Sequence, residues 1–118
     1  MRKWRYMKGA MLKPALNPQN LESVATRFRI LGVPLRLQIL NELSGGERTV
    51  SELVEATGST QPNVSKHLST LLTHRLVKRE KRGNCAHYSV ADPAIFELCE
   101  IVCRNIERSL EEERRAFG

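Results

Sequence analysis

The chain has 118 residues, enough for one domain built around one hydrophobic core. Lys and Arg exceed Asp and Glu by 19 to 13, and the formal net charge of +6 is typical of proteins that bind nucleic acid or carry a basic, solubilising surface. No run approaches the roughly 18 consecutive apolar residues of a membrane span, and no apolar segment of a secretory signal follows the charged N-terminus. We therefore expect a cytoplasmic protein with no membrane partner.

The positive charge is concentrated in two segments. Residues 1–13 contain five basic residues and no acidic one, and residues 60–84 contain six basic residues and one acidic residue. Residues 93–118 are mildly acidic, with six Glu and four Arg. Clustered Lys and Arg neutralise phosphates and release the counterions of a nucleic acid. We interpret residues 1–17, which have no helical or strand periodicity, as a basic N-terminal arm, and residues 18–118 as the folded domain.

Two amphipathic helices are predicted after the arm. Apolar residues recur at the spacing of one helix face from Asn20 onward, and Gly32 ends this helix. Its apolar positions are Leu21, Val24, Ala25, Phe28 and Leu31. Pro34 is expected in the first turn of a second helix, where its missing N–H costs nothing, and the Gly pair after Ser44 ends that helix. Its predicted buried residues are Leu35, Ile39, Leu40 and Leu43.

A helix-turn-helix is predicted next. After a short extended piece, Arg48–Val50, Ser51 is the predicted N-cap of a short helix that Gly58 ends. Ser59 or Thr60 then caps a second helix, which carries its own apolar stripe. Two helices joined by such a tight turn form the unit that many DNA-binding proteins dock on the major groove.

A β-hairpin and a last helix complete the pattern. Leu76–Arg82 and Ala86–Val90 are strand candidates on either side of a turn that contains Gly83. Asp92 is predicted to cap the last helix, which starts at Pro93 and has an apolar stripe that no later element covers. A hairpin directly after a helix-turn-helix is a wing. The expected fold is mainly α with a small β-hairpin, a winged helix-turn-helix with the order α-α-α-α-β-β-α.

Short polar side chains are concentrated in the first turns of the second helix of the pair. Such side chains reach base edges and phosphates when a helix N-terminus enters the major groove, where Gln and Asn pair with adenine. We expect His67 to contact a phosphate or sugar because its neighbours face DNA, and a packing or solvent-facing role is its alternative. The candidate DNA-binding residues are Thr60, Gln61, Asn63, Ser65, Lys66 and His67 on the helix and Lys81, Arg82 and Asn84 on the wing.

An ordered set of motifs between about residues 20 and 110 resembles the ArsR/SmtB family of winged-helix repressors. The motifs are LGVPLRLQIL at 31–40, VSEL at 50–53, QPNVSKHL at 61–68, LVKREKRG at 76–83 and YSV at 88–90. The resemblance implies a homodimer formed mainly by the first and last helices. It also implies repression at a palindromic double-stranded operator near the protein's own promoter, with release when an effector binds. The implied dimer interface contains Leu21, Val24, Phe28, Ile95, Leu98, Val102 and Ile106.

The effector sites known in this family are absent or incomplete in this sequence. Residues 47–53, which match the segment that carries a Cys pair in one type, contain no Cys. Asp92 matches the first ligand of a carboxylate and His site on the last helix. The other positions of that site hold Ala94, Asn105 and Arg108. A third type pairs a Cys on the second helix with one on the last, and the second-helix position here is Asn41.

Cys99 and Cys103 are the remaining sensor candidates. Their i, i+4 spacing puts both on one side of the last helix, and soft thiolates suit As(III), Cu(I), Cd or Zn. The same thiols also suit disulfide or persulfide chemistry, or simple packing as small hydrophobes, and the sequence leaves these alternatives open. Cys85 would be a third ligand only if the wing folds toward the last helix. The expected cofactor is a thiolate-bound metal or metalloid ion, or none.

Other classes of function are less well supported by the sequence. It contains no nucleophile and base constellation, no glycine-rich phosphate loop and no catalytic ligand cluster, so we do not expect an enzyme. The alternative is a winged-helix protein-interaction module without DNA binding, since a fold does not fix a function. The polar start of the fourth helix and the basic wing favour DNA binding, because an interaction module would more often expose an apolar patch there.

Overall fold

The computed structural model describes residues 16–117. The predicted basic arm therefore lies outside the described residues, apart from its last two. The elements, in chain order, are α1 (Leu21–Leu31), α2 (Pro34–Leu43), β1 (Arg48–Thr49), α3 (Val50–Thr57), α4 (Gln61–Thr73), β2 (Val77–Arg82), β3 (Cys85–Val90) and α5 (Ala94–Phe117). This order confirms the predicted winged helix-turn-helix, in which the extended piece before α3 forms a short additional strand.

The hydrophobic core lies between α2, α3 and α4, beneath the start of the wing. Its most deeply buried side chains are Ile39, Leu40, Leu53, Val64, Leu68 and Leu71. The members from α2 and α4 belong to the apolar faces that the helical spacing predicts. Leu35, also predicted to be buried, is only partly covered and packs against the edge of this core.

The helix ends lie within two residues of the predicted boundaries, and one predicted N-cap is wrong. Thr49, not Ser51, is the N-cap of α3: its Oγ1 accepts a hydrogen bond from Glu52 N at 3.2 Å, and Thr49 N donates to Glu52 Oε1 at 2.8 Å. This reciprocal capping box satisfies two backbone donors, which Ser51 cannot do with the residues that follow it. Gly58 ends α3 at φ +73°, in the left-handed region that glycine adopts readily. Thr60 caps α4.

The wing belongs to a three-stranded antiparallel sheet with the order β1-β3-β2. β3 is the central strand, with Tyr88 opposite Arg48 on β1 and opposite Arg79 on β2. The sheet therefore connects the wing to the segment that enters α3. The sequence indicated extended residues at 48–50 but not their pairing with β3, because that pairing joins residues about 40 positions apart.

The first and last helices lie outside this core. α1 contributes one buried residue, Leu31, and the 24-residue α5 contributes none. Only the first turns of α5 pack against the core, through Ile95, Phe96 and Leu98, and every described residue from Glu100 onward is exposed. Despite the length of α5, no helix in the described part of the chain has a stretch apolar enough to cross a membrane.

Candidate nucleic-acid interface

The first two turns of α4 present polar side chains to solvent. The exposed polar residues there are Gln61, Asn63, Ser65 and Lys66, and the fully buried residues of the helix are Val64, Leu68 and Leu71. Thr60 is exposed as well, and its Oγ1 accepts a hydrogen bond from the backbone N–H of Asn63 at 3.3 Å. The helix start thus combines uncharged hydrogen-bonding groups, one ammonium group and the positive end of the helix dipole.

Asn63 is oriented by the turn that precedes α4. Its Nδ2 donates a hydrogen bond to Ser59 Oγ at 3.1 Å, and Ser59 N donates to Thr57 Oγ1 at 3.3 Å. The left-handed conformation of Gly58 makes the tight turn that brings these groups together. No described residue donates to the side-chain carbonyl oxygen of Asn63. That oxygen can therefore accept a hydrogen bond from a base while the amide stays bound to Ser59.

His67 does not lie on the exposed face of α4, and the prediction that it contacts a phosphate is wrong. Its side chain is part of the interior, with the residue only 8% exposed, and its Nδ1 accepts a hydrogen bond from Arg36 Nε at 3.0 Å. Burial lowers the pKa of His67, and the charges of Arg36 and Lys66 lower it further. The physical reason for its position is helical spacing, since it follows Val64 by three residues and precedes Leu71 by four.

The wing is basic and open to solvent. Lys81, Arg82 and Asn84, the predicted DNA contacts, are exposed around the hairpin turn, where Gly83 has φ +62°. Within residues 16–117, neither Lys81 nor the Lys66 ammonium of α4 forms an ion pair. Both ammonium groups are therefore available to a phosphate.

Glu47, which lies just before β1, contacts the wing and was not predicted from the sequence. Its carboxylate forms an ion pair with the Arg82 guanidinium, and this hydrogen bond raises the pKa of Arg82. Both side chains remain about half exposed, at 44% for Glu47 and 50% for Arg82. The pairing of β1 with β3 brings the segment before β1 within reach of the wing, so only the sheet topology could have revealed this contact.

Cys99 and Cys103 open into one apolar groove between α5 and α2, which we call the thiol groove. It comprises two cavities of about 250 and about 330 Å³ that share both cysteines and Leu37. Asn41 lines the smaller cavity, so the second-helix position assigned from the family resemblance does face the α5 thiols. Cys99 is partly buried and Cys103 is exposed.

Cys85 does not join this pair. It is exposed at the start of β3, opposite Arg82 near the tip of the wing. Among residues 16–117 no three Cys, His, Asp or Glu side chains come together as a metal site within one chain. The condition under which Cys85 would be a third ligand, a wing folded toward the last helix, is therefore not met within a single chain.

The residues of the implied dimer interface divide into two groups. Ile95 and Leu98 pack partly against the core of their own chain, and Val24 is half-buried. The other four are large apolar residues that lie open: Leu21 is 52% exposed, Phe28 54%, Val102 47% and Ile106 52%. Since Phe28 of α1 lines the larger cavity together with Val102 and Ile106 of α5, the two helices form one continuous apolar surface. Exposed apolar surfaces of this kind mark interaction sites.

Known proteins share both the sequence pattern and the fold. Residues 33–79 match a family model described as bacterial regulatory protein, arsR family. The chain is 35% identical over 94 residues to the HTH-type transcriptional regulator KmtR of Mycobacterium tuberculosis, a match that covers 77% of this chain and 72% of that protein. It is 42% identical over 77 residues to a probable mercury resistance operon repressor of Streptomyces lividans, covering 65% of this chain and 62% of that protein, which is less than two thirds of its length.

A solved structure agrees with the sequence comparison. It is the solution structure of the homodimeric winged helix-turn-helix DNA-binding domain of a possible ArsR-family transcriptional regulator from Mycobacterium bovis. It matches with a TM-score of 0.70 and 29% sequence identity, over 83% of this chain and 94% of that one. The chain described above therefore belongs to the ArsR family of bacterial regulatory proteins.

Proposed function

We propose that this protein is a homodimeric transcriptional repressor that binds double-stranded operator DNA through α4 and the wing, and that a thiophilic effector releases it. The observation that carries the DNA-binding part is the division of α4 into a fully buried apolar face and an exposed polar face. A helix held rigidly by its buried face can direct the opposite side chains at base edges in the major groove. The family relationship supplies the regulatory role.

The exposed residues divide by chemistry into two roles. Gln61 and Asn63 carry amides, which discriminate bases, while the cations Lys66, Lys81 and Arg82 bind phosphates regardless of sequence. Thr60, Ser65 and Asn84 add shorter polar groups that suit either base edges or phosphates.

The apolar surface shared by α1 and α5 supports the dimer. It carries large side chains that are about half exposed in one chain, and the relative from Mycobacterium bovis is described as homodimeric. A second copy of the chain would cover this surface symmetrically. The two α4 helices would then face successive major grooves, about 34 Å apart, on a palindromic site.

Selection from a library of randomised DNA duplexes tests this proposal, because such a selection requires no assumption about the operator sequence. We expect the full chain to enrich a palindromic sequence, and its affinity to fall by about tenfold or more between about 50 and about 200 mM salt. Gln61→Ala should lower the preference for the selected duplex over a scrambled one by about 1–3 kcal/mol. Lys66→Gln should weaken binding to both duplexes alike.

Ser69→Ala is the matched control, because Ser69 is exposed on α4 beyond the residues assigned to DNA contacts. It should leave both affinities unchanged. Equal affinity of the wild-type chain for the selected and the scrambled duplex would contradict the repressor proposal and favour a protein-interaction module.

The thiol groove supports an effector that binds two sulfur atoms. In a regular helix the Cβ atoms of residues four apart lie about 5–6 Å from each other, whereas a disulfide requires about 3.5–4.5 Å. A metal ion with two bonds of about 2.3 Å to sulfur spans the wider gap without distorting the helix. The relative from Streptomyces lividans is named as a mercury resistance operon repressor, which supports a soft, thiophilic ion as the effector class.

The effector is tested by titrating Hg(II), arsenite, Cd and Cu(I) into the reduced protein bound to the selected duplex. We expect at least one of these ions to release the DNA from the wild type but not from a Cys99→Ala/Cys103→Ala double variant. Cys85→Ala is the matched control, because that thiol is exposed but lies outside the groove, and it should respond as the wild type does. Release by persulfide or peroxide alone would contradict coordination and support redox sensing by the same pair.

A further inference from the structure

The side chain of Arg36 forms hydrogen bonds with two other helices. From α2, its Nε donates to His67 Nδ1 on α4 at 3.0 Å, and its Nη1 donates to the carbonyl oxygen of Ile30 on α1 at 3.1 Å. Among residues 16–117, these are the only side-chain hydrogen bonds that join one helix to another. One guanidinium therefore connects the last turn of α1, the start of α2 and the middle of α4.

The bond from Arg36 also sets the state of the imidazole. A guanidinium has only donors, so Nδ1 of His67 must be the unprotonated nitrogen, and the proton of the neutral ring is on Nε2. Protonation of Nδ1 would turn both partners into donors. It would also place a new cation beside Arg36 and Lys66 at a residue that is only 8% exposed. Burial and these two charges accordingly lower the pKa of His67 from its ordinary value of 6.5.

This hydrogen bond restrains α4 in a way that its apolar contacts do not. Val64, Leu68 and Leu71 hold the helix on the core, but hydrophobic contacts are non-directional and tolerate small rotations and shifts. A hydrogen bond is directional, because its donor–hydrogen–acceptor angle prefers values above about 150°. The Arg36–His67 bond acts at the turn of α4 that follows the base-reading side chains, whose alignment must hold within about 0.5 Å and about 10–20° to be effective.

We propose that Arg36 and His67 are positioning residues for DNA recognition, which set the orientation of α4 against α1 and α2 without contacting the DNA. The inference rests on the proposed function, since it assumes that α4 reads base edges. It assigns to the buried His67 and the partly buried Arg36 a share of the sequence discrimination that Gln61 and Asn63 perform at the surface.

Three substitutions separate this role from simple packing. His67→Leu removes the acceptor and keeps an apolar side chain in the core. Arg36→Met removes both donors and keeps an unbranched chain. His67→Gln keeps an oxygen acceptor for Arg36 but cannot titrate. The probes are the duplex selected by the wild-type chain and a scrambled duplex of the same composition, and circular dichroism and thermal unfolding report whether each variant is folded.

We expect His67→Leu and Arg36→Met to lose about tenfold in the ratio of the two affinities, with binding to the scrambled duplex unchanged. The double variant should be no worse than Arg36→Met alone, because that variant already lacks the bond to His67. His67→Gln should keep the wild-type ratio. The proposal would be overturned if His67→Leu and Arg36→Met fold and keep the wild-type ratio of the two affinities.

The dependence of the ratio on pH provides a second readout that packing alone would not produce. Because the pKa of His67 is lowered in the folded chain, protonation disrupts the bond only as the pH falls below the ordinary 6.5. The wild type should therefore lose discrimination at acidic pH, whereas His67→Gln, with His74 and His87 still present, should not.

Identical pH profiles for the wild type and His67→Gln would overturn the proposal. If His67→Leu fails to fold, the proposal is decided by Arg36→Met and by the pH profiles of the wild type and His67→Gln. If the wild-type chain selects no duplex at all, the proposed function fails and this inference fails with it. Selection by the wild type with no effect of the variants overturns the inference alone.

Discussion

Apolar residues are buried in the core formed by α2, α3 and α4, but many of them are exposed on the C-terminal helix α5. In the core, Leu53, Leu68 and Leu71 are fully buried within one chain, and the polar residues of α4 face solvent. In α5 no residue is fully buried, and Ile106 is 52% exposed on the same helix that carries Glu and Arg on its other side. The described residues of one chain therefore complete the core but leave much of α5 uncovered.

The difference shows how the two regions contribute to function. The core contacts that hold α4 lie within one chain, so single-chain packing fixes the orientation of the polar α4 face that we propose reads DNA. The described residues of one chain leave the α5 surface uncovered, so in the proposed dimer it is suited to set the distance between the two α4 helices. The thiol groove is lined by residues of both α2 and α5, so it lies where the core and the last helix meet.

The largest effect is expected from a charge on the uncovered face. Ile106→Glu should give monomers, because burial of an unpaired carboxylate opposes association. Loss of the second reading helix should lower operator affinity by about 10²–10⁴-fold. Sedimentation and binding to the selected duplex measure both effects. Arg108→Gln, which changes the net charge by the same one unit on the opposite side of α5, should remain dimeric. A dimeric Ile106→Glu variant would place the dimer interface on another surface of the chain.

Two substitutions distinguish stability that comes from packing within one chain from stability that comes from the dimer. Leu68→Ala should lower the free energy of unfolding by about 2–5 kcal/mol at every protein concentration, because it leaves a cavity within one chain. Val102→Ala should instead reduce stability mainly through the dimer, so its effect should depend on protein concentration. Thermal unfolding over a range of concentrations measures both. A concentration-independent loss for Val102→Ala would show that α5 packs on its own chain.

The smallest effect is expected at the wing. Glu47→Gln removes the ion pair that holds Arg82 and should raise affinity for the selected and scrambled duplexes alike, by at most about fivefold because the pair is exposed. The increase should be absent in an Arg82→Gln background. An increase confined to the selected duplex would mean that this pair contributes to base reading and not to phosphate binding.

Local patterns in the sequence predicted the helices, the turn at Gly58, the hairpin and the uncovered stripe of α5, because each depends on residues a few positions apart. The capping box between Thr49 and Glu52 is also local, but the predicted cap was Ser51, which carries a similar hydroxyl two residues later. The Arg82 pair with Glu47 joins residues 35 positions apart and needs the order of the strands.

His67 is the most instructive error. Its helical spacing from Val64 and Leu71 indicated the buried face, but its polar neighbours suggested a DNA contact. The deciding fact was the partner that satisfies its ring nitrogen, Arg36, which lies 31 positions earlier in the chain. A polar residue on a buried face requires such a partner, but the sequence does not say which residue supplies it.

The uncovered face of α5 also affects how the protein responds to its own abundance. When a chain is largely monomeric, the concentration of its dimer rises with the square of the total concentration. Occupancy of an operator that requires two chains then changes over a narrower range of expression than it would for a monomeric binder. A repressor of this kind that acts on its own promoter would hold its level near the dissociation constant of the α5 interface, so a conservative change such as Val102→Ala would reset that level without altering any residue that faces DNA.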